Sequence, residues 1–194
     1  CQVLTYESAG SDVEATFVPV LSADGARLAV VGERQVSLVD VAQSRVLAEF
    51  VYAPADARSA VFSPSGAWLA VTRRACRVDL YRLGAAVPTS ATRTLRLCAP
   101  PLGAEFGVAV AFNADDRTLA AVAGTGEAAI YDLGDRGKLN FAQLMTPPPD
   151  DPAEEPLVGW VSSWMIAAGV RGRAYLWATD GAVVTRLGGV GAER

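Results

Sequence analysis

Residues 59–83, SAVFSPSGAWLAVTRRACRVDLYRL, decide how the chain is to be read. Ala60-Val61-Phe62 is a short apolar run of the kind shown by a strand buried on both faces. Ser63-Pro64-Ser65-Gly66 follows, where proline presets φ for the first central turn position and glycine supplies the permissive backbone that closes the turn. Trp68 to Thr72 is a second apolar strand, and Arg73-Arg74-Ala75 breaks it. Arg77 to Tyr81 then alternates, with Val78 and Leu80 on one side and Arg77, Asp79 and Tyr81 on the other. Alternation of that kind predicts a strand with one wetter face, nearer the outside of a sheet. The stretch predicts a three-stranded meander.

The rest of the chain repeats it. Ala15–Leu21, the turn Ser22-Ala23-Asp24-Gly25, Ala26–Val31 and Gln35–Asp40 form one copy, with Arg45–Phe50 as a fourth, outer strand. The quoted stretch gains an outer strand at Thr92–Leu97. A third copy runs through Val108–Phe112, Thr118–Val122 and Ala128–Asp132, with Leu139–Leu144 outermost. A fourth runs through Leu157–Val161, Trp164–Ala168 and Arg173–Trp177, with Ala182–Leu187 outermost. The matching positions Leu28, Leu69, Leu119 and Ile166 are spaced by 41, 50 and 47 residues. Four short strands per period of forty-odd residues is a signature of radially repeated sheets, and no helical stripe is sustained anywhere.

The copies LSADGARLAVVGERQVSLVDV, FSPSGAWLAVTRRACRVDLYRL, FNADDRTLAAVAGTGEAAIYDL and, more weakly, WVSSWMIAAGVRGRAYLW resemble the WD-repeat family of β-propellers. The resemblance implies an all-β fold of four four-stranded antiparallel blades at about 14–50, 59–97, 107–144 and 157–187. Residues 1–8 are left as an orphan strand and 146–156 as an acidic, Pro-rich loop. The family's Gly-His pair is missing, since the chain has no histidine. Its Trp-Asp pair becomes Val39-Asp40, Leu80-Tyr81, Tyr131-Asp132 and Leu176-Trp177. The family's buried polar network is therefore not expected in its usual form, and stability is expected to rest more on apolar packing between blades. Propellers carry about four to eight blades, so the chain is expected to be part of a larger propeller, a closed ring of four being the alternative.

Composition narrows the chemistry. An apolar fraction of 51% in 194 residues is ample for a core, and the net charge of −4 argues against nucleic acid as the main partner. The lack of histidine removes the commonest general base and metal ligand. The three cysteines, Cys1, Cys76 and Cys98, are scattered and point to neither a zinc site nor a disulfide framework; Cys76 and Cys98 read as small buried residues. No stretch is long and apolar enough for a transmembrane helix. No catalytic constellation, metal set or cofactor motif is found, so the expectation is a non-catalytic interaction scaffold within a larger protein or multisubunit assembly. A cytoplasmic setting is expected. The alternative is an extracytoplasmic propeller, lipid-anchored through Cys1, that binds a ligand or belongs to an envelope complex.

The family's topology implies where a protein partner docks. Loops between second and third strands share one face with the segments entering each blade, which gathers Glu33, Arg34, Arg58, Arg73, Arg74, Arg171 and Arg173 there. Arginine's planar fork suits such interfaces. Asp150, Asp151, Glu154 and Glu155 form an acidic loop suited to a basic partner. Trp68, Trp160, Trp164 and Trp177 lie in or beside strands and read as core.

Overall fold

The structure, a computed structural model, describes residues 17–32, 34–53, 56–84, 86–98, 107–134, 137–143, 155–170, 173–180 and 184–187. The orphan strand 1–8 lies outside them. Four antiparallel four-stranded sheets follow one another, each a meander in sequence order. The first holds β1 (Val18–Leu21), β2 (Arg27–Val31), β3 (Gln35–Asp40) and β4 (Arg45–Val51). The second holds β5 (Ala57–Phe62), β6 (Trp68–Arg73), β7 (Arg77–Arg82) and β8 (Arg93–Arg96). The third holds β9 (Val108–Phe112), β10 (Thr118–Ala123), β11 (Glu127–Asp132) and β12 (Gly137–Gln143). The fourth holds β13 (Leu157–Ser162), β14 (Met165–Val170), β15 (Arg173–Ala178) and β16 (Val184–Leu187).

Each sheet packs on the next through its inner strands: β1 and β2 on β5, β5 and β6 on β9, β9 and β10 on β13. No comparably packed pair leads from the fourth sheet back to the first among the described residues. The four sheets form an open arc.

Strand alternation decides which side chains fill the seams, because successive residues point to opposite sheet faces. One face of each sheet receives the following sheet. In the first this face is Ala29, Leu38, Val31 and Val36, in which Ala29 pairs with Leu38 and Val31 with Val36. In the second it is Ala70, Leu80, Thr72 and Val78, and in the third Ala120, Ile130, Val122 and Ala128. All twelve are buried. The opposite face meets the preceding sheet with a leucine or isoleucine and an aromatic residue: Leu69 with Tyr81, Leu119 with Tyr131, Ile166 with Trp177. Each fully buried leucine, isoleucine or tryptophan in these seams contributes about 1.5–3 kcal/mol from removal of apolar area.

The turns repeat as well. Gly25, Gly66 and Asp116 occupy equivalent positions with φ of 70°, 71° and 58°, a left-handed conformation that glycine adopts without steric cost. Polar bonds pass along this end of the arc from sheet to sheet. Arg27 Nη1 donates to Gly66 O at 3.1 Å, Ser65 N to the Asp116 carboxylate at 3.2 Å, and Asn113 Nδ2 to Ser163 O at 3.3 Å.

Three expectations are corrected. β7 has no wetter face, since Asp79 and Tyr81 are buried together with Val78 and Leu80. Cys76 and Cys98 form a disulfide, with Cα atoms 5.5 Å apart. Trp164 is exposed, whereas Trp177 is fully buried and Trp68 and Trp160 pack at the edges of the core.

Candidate functional site

The turns between second and third strands do meet the segments that join the sheets. Tyr52 N donates to Arg34 O at 2.8 Å, Arg74 N to Asp56 O at 2.9 Å, and Gly124 N to Gly107 O at 3.0 Å. Arg34, Arg58 and Arg74 therefore sit at one end of the arc, and all three are exposed. Arg173, at the start of β15, is exposed too. Glu33, Arg171, Asp150, Asp151 and Glu154 lie outside the described residues, while Glu155 is described and exposed. A small cleft of about 80 Å³ opens at this end between the second and third sheets. Arg58, Ser59, Thr72, Gly107 and Glu155 are among the residues lining it. Its volume matches a few water molecules rather than a ligand of metabolite size.

Arg73 takes another role. Its side chain turns into the seam between the first two sheets and holds two carboxylates. Nε donates to Asp56 Oδ2 at 3.1 Å and Nη2 forms a short ion pair with the same oxygen. Nη1 donates to Asp79 Oδ2 at 2.9 Å, and Thr94 Oγ1 donates to Asp79 Oδ1 at 2.6 Å. Asp56 and Asp79 are only 5% and 4% exposed, so their charges need this partner. The guanidinium lies 5.0 Å from the centre of the Tyr52 ring, a cation–π contact. Burial disfavours the charge on Arg73, but the hydrogen bonds and charges of Asp56 and Asp79 outweigh it and raise its pKa. The Tyr52 and Tyr81 hydroxyls share a 2.5 Å hydrogen bond beside the network, and burial pushes both phenols up. A polar network thus exists in this seam beside the apolar packing that was expected to carry more of the stability, and it is built on arginine.

The same register aligns further arginines. Arg73 is opposite Arg77, and Arg77 is opposite Arg96, so three guanidinium-bearing residues share one face across β6, β7 and β8. Like charges directly opposite each other repel. Asp56 serves Arg73 first and lies 3.7 Å from Arg77 Nη2, while Arg96 is exposed. With Arg74 in the adjoining turn, the outer edge of the second sheet carries more positive charge than its two carboxylates balance. Arg77 and Arg96 were missed in the sequence because nothing local marks them; only the pairing of β7 with β8 places them side by side. The disulfide reinforces the edge. It ties the β6–β7 turn at Cys76 to Cys98, two residues beyond β8, where Leu97 N also donates to Cys76 O at 3.0 Å.

The arc superposes on solved ring-shaped proteins over nearly its whole length. The fold is a β-propeller. A chain of a mitotic checkpoint complex crystal structure matches with TM-score 0.71 at 15% identity, over 93% of this chain and 53% of its own. The Cps50 (Swd1) β-propeller domain of Myceliophteria thermophila matches with TM-score 0.61 at 18% identity, over 85% of this chain and 54% of its own. The periplasmic gluconolactonase PpgL of Pseudomonas aeruginosa matches with TM-score 0.64 at 15% identity, over 88% of this chain and 52% of its own. No family model and no curated protein matches the chain. At these identities the likeness is one of fold. The four blades span about half the length of the propellers they match.

Proposed function

We propose that the chain is a non-catalytic protein-binding part of a propeller, and that its second blade docks an acidic segment of a partner protein. The observation that carries this reading is the arginine edge of β6–β8. Arg74, Arg77 and Arg96 leave positive charge at a site fixed by a disulfide below and a clamped Arg73 behind, on a chain whose net charge is −4. An acidic side chain placed there relieves the repulsion between Arg77 and Arg96 and gains charge-assisted hydrogen bonds. Two of the solved neighbours, a chain of a mitotic checkpoint complex and the Cps50 (Swd1) propeller domain, fit an interaction role; the third is a gluconolactonase.

The disulfide favours the extracytoplasmic alternative over the cytoplasmic expectation, because disulfides persist in oxidising compartments and are kept reduced in the cytosol. The anchoring residue of that alternative, Cys1, lies outside the described residues.

The test uses the whole chain and an Arg74→Glu, Arg96→Glu variant as baits in an extract of the native source, after matching their far-UV circular dichroism. Loss of a specifically retained protein from the variant, and weaker retention of it by the native chain as salt rises, is the expected result. Identical retention by both baits overturns the assignment of this edge.

A further inference from the structure

On the face that receives the following blade, each blade carries one row of paired residues from its first three strands. The row is Val20, Ala29 and Leu38 in the first blade, and Val61, Ala70 and Leu80 in the second. It is Ala111, Ala120 and Ile130 in the third, and Gly159, Ala167 and Leu176 in the fourth. All four have an alanine on the second strand beside a leucine or isoleucine on the third. The inner-strand member shrinks along the arc, from valine twice to alanine and then to glycine.

What fills a row follows the size of that member. Phe62, on the inner strand of the second blade, shares one buried cluster with Val20, Ala29 and Leu38. Phe112, its counterpart in the third blade, shares another with Val61, Ala70 and Leu80. On the third row the counterpart is Trp160, which packs with Ala120 and Ile130 and donates from Nε1 to Ala111 O at 2.9 Å. Valine beneath the ring goes with a phenyl, and alanine with the larger indole, as close packing without voids requires. The indole N–H needs an acceptor once it is covered, and the inner strand's own carbonyl supplies it.

The fourth row is open. Gly159, Ala167 and Leu176 are only half-buried, whereas the second- and third-strand members of the other rows are buried. A Cβ built on Gly159 meets nothing within 4 Å, and Leu157, two residues before it, is 73% exposed. Neither the row nor its neighbours Leu157, Gly169 and Ala174 include a charged residue. We propose that this row is the seat of a further propeller blade whose inner strand presents a tryptophan, with its ring over Gly159 and its N–H donated to Gly159 O. The occupant is a blade because each filled row is filled by one, and the arc matches only about half of each solved propeller chain. It brings an indole because glycine leaves more room than the alanine that already takes one. A first blade like that of this chain does not meet the requirement, since Leu21 stands where Phe62, Phe112 and Trp160 do.

The test titrates the whole chain with N-acetyl-tryptophanamide, N-acetyl-phenylalaninamide and N-acetyl-leucinamide, followed by NMR. The indole should shift the amide signals of Gly159, Ala167 and Leu176 saturably, at several-fold lower concentration than either other probe. Gly159→Val recreates the row of the first two blades at a strand position that valine suits. It should leave the signals of the other blades in place and abolish the preference for indole, whereas Gly159→Ala, which recreates the third row, should keep it. The Arg74→Glu, Arg96→Glu variant should bind the indole as the native chain does, so that this seat and the acidic-partner edge are tested apart. No saturable shift on the row, or an equal response to all three probes, overturns the proposal. So does an indole preference that survives Gly159→Val or is lost with Gly159→Ala. Movement of the same signals with protein concentration alone would mean that a second copy covers the row, and overturns it too.

Discussion

Reducing the Cys76–Cys98 disulfide should destabilise the propeller by about 3 kcal/mol. The bond closes a loop across a sequence separation of 22 residues, running through β7, the connection to β8, and β8 itself. Loop-closure entropy for a loop of that size is about 11 cal/mol/K, or roughly 3.4 kcal/mol at 25 °C, released to the unfolded chain on reduction. For a chain of this length, about 1 kcal/mol corresponds to a melting shift of about 2–4 °C. Reductant should therefore lower the melting temperature by about 7–13 °C. The assay is thermal unfolding by circular dichroism with and without reductant, alongside thiol titration of the denatured chain. Reduction should add two titratable thiols, those of Cys76 and Cys98. A Cys76→Ala, Cys98→Ala variant should melt near the reduced protein and ignore reductant. The same thiol count before and after reductant, or a shift under about 2 °C, would refute the reasoning. The first outcome would also remove the support for an oxidising compartment.

Two further substitutions probe the turns and the buried charges. Gly66 sits at φ 71° with nothing within 4 Å of a built Cβ, so Gly66→Val carries backbone strain alone, about 1–2 kcal/mol, and Gly66→Asn less. Equal melting temperatures for native and valine chains would show that this turn tolerates any residue. Arg73→Met strands Asp56 and Asp79 in a seam where each is at least nine-tenths buried, and should cost about 3 kcal/mol, whereas Arg73→Lys should retain part of the loss. Equivalent denaturant midpoints for Met and Lys variants would deny the ion pairs a stabilising role.

The blades were legible because the signals that specify them are local. Gly25 and Gly66 mark turns that need positive φ, and the runs around Ala60-Val61-Phe62 and Trp68–Thr72 are long enough to name strands before any pairing is known. What stayed hidden depends on register or on distance along the chain. Asp79 and Tyr81 look like residues on a wet face until Tyr52 and Arg73 are seen to close over them from the neighbouring seam. Cys76 and Cys98 become partners only when β8 pairs with β7. Arg58, Arg73 and Arg74 read alike in the sequence. Structure separates them into a residue lining a cleft, a buried clamp and an exposed tip.

That separation bears on how well the proposed edge of the second blade would bind an acidic partner. A surface of mobile arginines loses side-chain freedom on docking, about 0.5–1.5 kcal/mol for each long side chain immobilised. Here part of that ordering is already present before a partner arrives. Arg73 is held by both carboxylates and the Tyr52 ring, Arg77 Nε reaches Arg74 O at 3.4 Å and its Nη2 faces Asp56, and the disulfide fixes the strand that carries Arg96. The two buried carboxylates sit behind the arginines, so they orient the guanidinium groups without competing for the outward side. The acidic segment proposed as its partner would then meet donors whose spacing is set by strand register. The ion-paired cluster of Arg73, Asp56 and Asp79 in this seam would thus serve the fold and the proposed acidic-partner edge through the same few atoms.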